Sequence, residues 1–175
     1  MKFLLDIRLL LVAIWLGAAL FFIAVAQSAF AVWPQREMAG LLVSRTLAIL
    51  NFSGVALFFI LFLLSFVASK SANRYLVWTE RFLLLVTAVT CAVGQFVFGF
   101  WIAMKRAEIG RPIDELAVDD PLRVQFNMLH EYSVWTLMIG MGAALLAFFV
   151  IANRNARAKK DSPGAPYNFE KEFKT

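Results

Sequence analysis

Four apolar stretches, separated by short polar punctuation, constrain this chain more than any other feature. They cover residues 9–32, 41–68, 82–104 and 126–152. Each exceeds the ~20 residues needed to cross a hydrocarbon core of about 30 Å. Backbone N–H and C=O groups find no water in lipid and must pair within their own segment, so each stretch is expected to be a helix. Composition agrees: 61% of the 175 residues are hydrophobic and only 17% charged, against roughly 25% charged in a soluble domain. A soluble chain this short has too small an interior to hide that much apolar surface. The expected fold is therefore all-α, a polytopic membrane protein with a four-transmembrane-helix bundle in one domain, residues 1–152, followed by a tail, 153–175.

The first stretch superficially resembles a signal peptide, with small residues near its end. A signal peptide's apolar region is about 7–15 residues, whereas this one runs for 24 after Asp6 and Arg8 and ends at Trp33-Pro34. It reads as a retained helix. Pro34 lacks a donor and biases Trp33 away from helical geometry, which ends span one. Asp119-Asp120-Pro121 reads as a helix start, with Asp120 as N-cap and Pro121 at the first helical position. Residues 69–73 read as a polar turn between spans two and three.

The formal net charge of +5 is concentrated at the membrane edges and in the tail, a pattern of membrane orientation rather than of nucleic-acid binding. With the N-terminus inside, 11 of the 17 Lys and Arg residues fall on the cytoplasmic side: Lys2, Arg8, Lys70, Arg74, Arg81 and six in the tail. The other six, among them Arg36, Arg45 and Arg123, share their side with Asp114, Glu115, Asp119 and Asp120. Both termini are thus expected to be cytoplasmic. The tail, basic and then rich in polar residues with Pro and Gly, is expected to be disordered, with Arg154, Arg157, Lys159 and Lys160 near anionic headgroups.

Polar residues inside the apolar runs are the candidates for function. FNMLHEYSVW, at residues 126–135, carries the only histidine beside a glutamate. Arg45 and His130 each lie four residues in from the outer end of their span, about 6 Å at 1.5 Å per residue. Gln27 lies near the same level, while Asn51 and Gln95 lie deeper. Arg123, Asn127, His130 and Glu131 fall at i, i+4, i+7 and i+8, one helical face, expected to point into the bundle with Arg45 as partner of Glu131. Two readings follow: a ligand or ion site opening outward, or hydrogen-bonded glue that fixes helix register. Thr87, Cys91 and Gln95 form a weakly polar seam on span three. Cys91 is the single cysteine, expected to serve as a small buried hydrophobe. Ala13/Gly17, Ala24/Ser28 and Gly140/Ala144 have helix-packing spacing.

A bis-histidine haem needs two axial ligands, and one histidine per chain supplies them only across a dimer. HExxH, GxSxG and P-loop patterns do not occur in the sequence. His130 and Glu131 alone make neither an activated nucleophile nor an adequate metal ligand set. The expectation is a non-enzymatic protein with no cofactor and no metal.

Trp15-Leu16-Gly17 with Phe21-Phe22, Arg36-Glu37-Met38-Ala39-Gly40-Leu41 leading to Asn51, and Arg123, Phe126, Leu129, His130 and Ser133 together resemble the transmembrane protein 205-like family. The resemblance spans most of residues 8–152 and is most specific in span four. It implies a small four-helix membrane domain of a kind common in bacteria, placed in the inner membrane, without an established reaction. It also marks Arg123, His130 and Ser133 for a shared role. Relatives carry proline near the end of helix one, where this chain has Gln27-Ser28, so the kink that such a proline implies does not carry over. The functional expectation is a protein of the lipid bilayer whose outer-leaflet cluster (Arg45, Arg123, Asn127, His130, Glu131, Ser133) binds or helps pass a small ligand or ion. The alternatives are a structural or assembly partner of a larger membrane complex, and a haem or redox subunit using His130 across a dimer; the expected partners are a second copy of the chain or another membrane protein.

Overall fold

In a computed structural model, which describes residues 2–67 and 74–160, the chain forms helices α1 (Lys2–Val32), α2 (Arg36–Val67), α3 (Arg74–Val93), α4 (Phe100–Ile109) and α5 (Pro121–Lys160). A π-helical stretch, Gly94–Gly99, joins α3 to α4 without a break, so the two cross as one span, Arg74–Ile109. The described residues thus hold four helical spans long and apolar enough to cross a membrane. α1 and α3 each pack against both α2 and α5. The order around the bundle is α1, α2, α3, α5, with α1 and α3 on a diagonal.

The helix faces that meet are built on a seven-residue repeat. Buried positions recur at alternating intervals of four and three: 8, 12, 15, 19 and 22 on α1; 51, 54, 58, 61 and 65 on α2; 80, 84, 87, 91 and 94 from α3 into the π-helical stretch; 140, 144, 147, 151 and 154 on α5. This 3.5-residue period keeps a narrow stripe facing the neighbours over the full helix length, as in left-handed bundles. The core it makes includes Val12, Trp15, Ala19, Leu50, Phe58, Leu61, Leu84, Cys91, Ala144, Ala147 and Ile151. Trp15 meets Phe58 edge to face at 4.9 Å and donates its indole N–H to the Leu50 carbonyl at 3.3 Å.

Small residues let the helices approach closely. A Cβ on Gly140 of α5 would lie 2.6 Å from Thr90 Oγ1, and one on Gly54 would lie 2.6 Å from Cys91 Sγ. The expected packing pair Gly140/Ala144 therefore sits in a helix interface. Ala13/Gly17 and Ala24/Ser28 do not meet another helix in this way: Gly17, Ala24 and Ser28 are exposed, and a Cβ on Gly17 would touch nothing within 4 Å. The stripe Val12–Trp15–Ala19–Phe22 claims the opposite side of α1. Many large apolar side chains, Phe21, Phe59, Trp78, Phe100, Trp135 and Phe149 among them, point away from the bundle, where lipid rather than water is their solvent.

Helix ends follow local chemistry. Asp120 caps α5 through Oδ1, which accepts the Leu122 N–H at 2.9 Å, with Pro121 at the first helical position as expected. Gly110 ends α4 in the left-handed conformation, φ 63°, and donates its N–H to the Arg106 carbonyl at 3.2 Å. The last span departs from expectation at its far end. α5 starts at Pro121, as its capping sequence implies and five residues before the apolar run, but it continues through Lys160 instead of giving way at 152. Its extension holds Ala, Arg and Lys, all good helix formers, and is tied to the bundle by Arg154. The expected turn at 69–73 and the remainder of the tail, 161–175, lie outside the described residues.

Candidate functional site

At the end of the bundle that carries both termini, each of the four buried stripes reaches a polar residue: Arg8 on α1, Ser65 on α2, Glu80 on α3 and Arg154 on α5. Arg8, Ser65 and Glu80 are fully buried and Arg154 is 5% exposed. Glu80 is the hub. Its Oε1 accepts from Arg8 Nη2 and its Oε2 from Arg154 Nη1, so a single carboxylate bridges two guanidiniums. The Arg8–Glu80 pair spans the diagonal between α1 and α3, and Arg154 adds α5. Arg8 Nη2 also donates to the Leu61 carbonyl at 3.2 Å, reaching α2. All four helices thus meet at one charged centre, just beyond the ends of the apolar runs.

Next to it, Arg81 donates from Nε to Ser65 Oγ at 3.1 Å and from Nη2 to the Ser65 carbonyl at 3.3 Å. Its guanidinium lies 3.8 Å from the centroid of the Phe66 ring, a cation–π contact. Ser65 in turn donates its hydroxyl to the Phe62 carbonyl at 2.6 Å.

The triad sets two guanidiniums against one carboxylate, and Arg8 is not saturated. Among the described residues its Nε and Nη1 are buried without a hydrogen-bond partner. Arginine presents five N–H donors and stays protonated at any physiological pH. Leaving such donors buried and unmet costs on the order of 1–3 kcal/mol. Chemically, Arg8 retains N–H donors that none of the described residues meets.

The outer-leaflet residues singled out in the sequence do not gather. Arg45, Gln27, Asn127, His130 and Glu131 are exposed, Arg123 and Gln95 are half-buried, and Asn51 and Ser133 are buried. No ion pair joins Arg45 to Glu131 among the described residues. Arg123 instead donates to the Leu116 carbonyl at 2.7 Å, pinning the loop that precedes α5. The reason lies in α5 itself: its inward face at this end runs Leu122, Phe126, Leu129 and Ser133, all half-buried or buried. At 100° per residue, His130 and Glu131 lie about 100° and 200° round from Leu129. The apolar face took the interior and turned the polar stripe outward.

Asn51 and Ser133 belong to a second polar level near the middle of the bundle, together with Thr90, Thr136 and Gly94. The Thr87–Cys91–Gln95 seam is buried at Thr87 and Cys91 and half-buried at Gln95. Among the described residues no group of three His, Cys, Asp or Glu side chains is placed to hold a metal ion.

Arg8, Glu80 and Arg154 read in the sequence only as boundary charges. The signal that marks them is periodicity. Extending each core stripe by one more step of three or four residues towards the polar end lands on Arg8, Ser65, Glu80 or Arg154 in all four helices.

An all-helical bundle with four apolar spans, lipid-facing aromatics and charges confined to its ends and a buried centre defines an integral membrane protein. Family models, curated proteins and solved structures contain no match to the chain.

Proposed function

We propose that this chain is a non-enzymatic membrane protein that holds an anionic group, the phosphate of a lipid headgroup, at the Arg8–Glu80–Arg154 centre. The observation that carries this reading is Arg8: a fully buried arginine with two nitrogens that find no acceptor among the described residues. Its position supports a phosphate in particular. The centre lies just beyond the apolar runs, at headgroup depth, and on the cytoplasmic side if the Lys/Arg bias sets the orientation. Arginine's planar fork matches phosphate oxygens in pairs. The resemblance to the transmembrane protein 205-like family is compatible with a binding role and implies no reaction.

The test is thermal unfolding in mild detergent with phosphatidylcholine alone, with added phosphatidic acid, and with inorganic phosphate, for wild type and Glu80→Gln. Ligand binding to the folded state stabilises by about 2.7 kcal/mol at a hundredfold excess over Kd. Phosphatidic acid is expected to raise the midpoint in wild type, and more in Glu80→Gln, where the competing carboxylate is gone. An equal rise with inorganic phosphate would identify free anion as the ligand. No rise with either anion in either protein overturns the reading.

A second reading, association with another membrane helix, is favoured by the outward stripe of α1. Phe21, Ala24, Val25, Ser28, Ala29, Val32 and Trp33 line, with Leu42, an apolar groove of about 390 Å3. Small residues on such a surface favour close helix contact. Stoichiometric co-purification that Ala24→Leu abolishes would support it, and a monodisperse single chain would count against it.

A further inference from the structure

We propose that the cavity at the middle of the bundle is a binding site for one water molecule, held between Asn51 of α2 and Ser133 of α5. The space is about 10 Å3, at the lower edge of the roughly 10–15 Å3 that one water requires. Asn51 is 4% exposed and Ser133 7% exposed, and among the described residues neither side chain makes a hydrogen bond. Both line the cavity. Two buried polar side chains facing one space of this size are the condition in which an internal water is stable.

The donor and acceptor inventory closes around water. The Thr90 hydroxyl is spent on the Thr87 carbonyl at 2.9 Å and the Thr136 hydroxyl on the Tyr132 carbonyl at 2.8 Å. Each threonine oxygen, also on the wall, therefore offers a lone pair and no proton. Asn51 supplies N–H donors and an acceptor, and Ser133 supplies one more donor. A water accepts from Asn51 and Ser133 and donates to the threonine oxygens, reaching three helical spans at once. A bare cation does not suit the same wall: it carries no carboxylate, and an unpaired charge this deep costs several kcal/mol.

Local backbone geometry is bound to the site. The π-helical stretch begins at Gly94, and a Cβ there would lie 3.1 Å from Asn51 Nδ2. Asn51 is thus wedged between the cavity and the point where the third span widens its helix. π-helical turns inside α-helices recur at functional sites.

The experiment is water-to-protein magnetisation transfer by solid-state NMR on the full chain in lipid bilayers, read at the Asn51 side-chain amide and assigned by its loss in Asn51→Leu. Transfer to Asn51 is expected to build up severalfold faster than to the backbone amide of Leu84, a fully buried position away from the cavity. Ser133→Val, which removes the hydroxyl and fills the space, should reduce Asn51 to the Leu84 level while leaving exposed Asn127 unchanged. Asn51 transfer at the Leu84 level in wild type overturns the proposal. So does transfer that persists undiminished in Ser133→Val with helical content intact.

Discussion

Glu80 and Arg8 touch each other, yet replacing them should have very unequal consequences. Glu80→Leu deletes the carboxylate that Arg8 and Arg154, both buried, share. Removing one partner of a buried ion pair costs about 3–5 kcal/mol, because the other charge stays behind uncompensated, and here Arg8 loses its carboxylate. Arg8→Met is different. It gives up a charge-assisted hydrogen bond, worth about 1.5–3 kcal/mol, but also removes the two buried nitrogens that have no partner among the described residues, relieving a cost of similar size. Glu80 keeps Arg154, and the methionine stem refills much of the space. The net expectation for Arg8→Met is about 0–2 kcal/mol. Reversible unfolding in mixed micelles, titrated with a denaturing detergent and followed by tryptophan fluorescence, measures both. The reasoning fails if Arg8→Met costs as much as Glu80→Leu, or if Glu80→Leu lies within 1 kcal/mol of wild type, a bound set by the ion-pair estimate.

Two further perturbations probe the rest of the bundle. Gly54→Ala forces a Cβ to 2.6 Å from Cys91 Sγ and 2.9 Å from Trp15 Nε1 and should cost about 1–3 kcal/mol by overpacking. Cys91→Ala should recover part of that loss in a double-mutant cycle, whereas Gly17→Ala, which meets open space, should be neutral or stabilising by up to about 1 kcal/mol. His130→Gln should change stability by no more than about 0.5 kcal/mol, since the side chain is exposed; a loss above 2 kcal/mol would restore the view that His130 is interhelical glue.

Much of this fold was legible because bilayer physics leaves few choices. A long apolar run must be a helix, and the Asp120-Pro121 start of α5 obeys capping chemistry that depends on its neighbours alone. Cys91 and the Gly140/Ala144 contact were readable for similar reasons. What the sequence concealed was azimuth, the direction each helix face points. Asn127, His130 and Glu131 share a polar stripe, but so do Leu122, Phe126, Leu129 and Ser133 an apolar one, and only packing against the α3–α4 span settles which turns inward. Arg8 and Arg154 were hidden by a different habit of sequence. Arginines at the ends of apolar runs usually snorkel to the interface, so neither stands out until its register with the buried stripe is followed. Glu80 lies just before the third apolar run, where a carboxylate is ordinary until two arginines from distant segments converge on it. That convergence is long-range, 72 residues from Arg8 and 74 from Arg154, and leaves no local mark.

The central claim, that Arg8 at the shared end of the bundle receives an anionic headgroup, is tested most directly by native mass spectrometry from mild detergent. Wild type and Arg8→Met, each with helical content verified by circular dichroism, would be titrated with an equimolar mixture of phosphatidic acid and phosphatidylcholine. The account predicts a phosphatidic acid adduct on wild type at several times the occupancy of phosphatidylcholine, lost in Arg8→Met. Equal occupancy of the two lipids on wild type, or an adduct that survives in Arg8→Met, would contradict it.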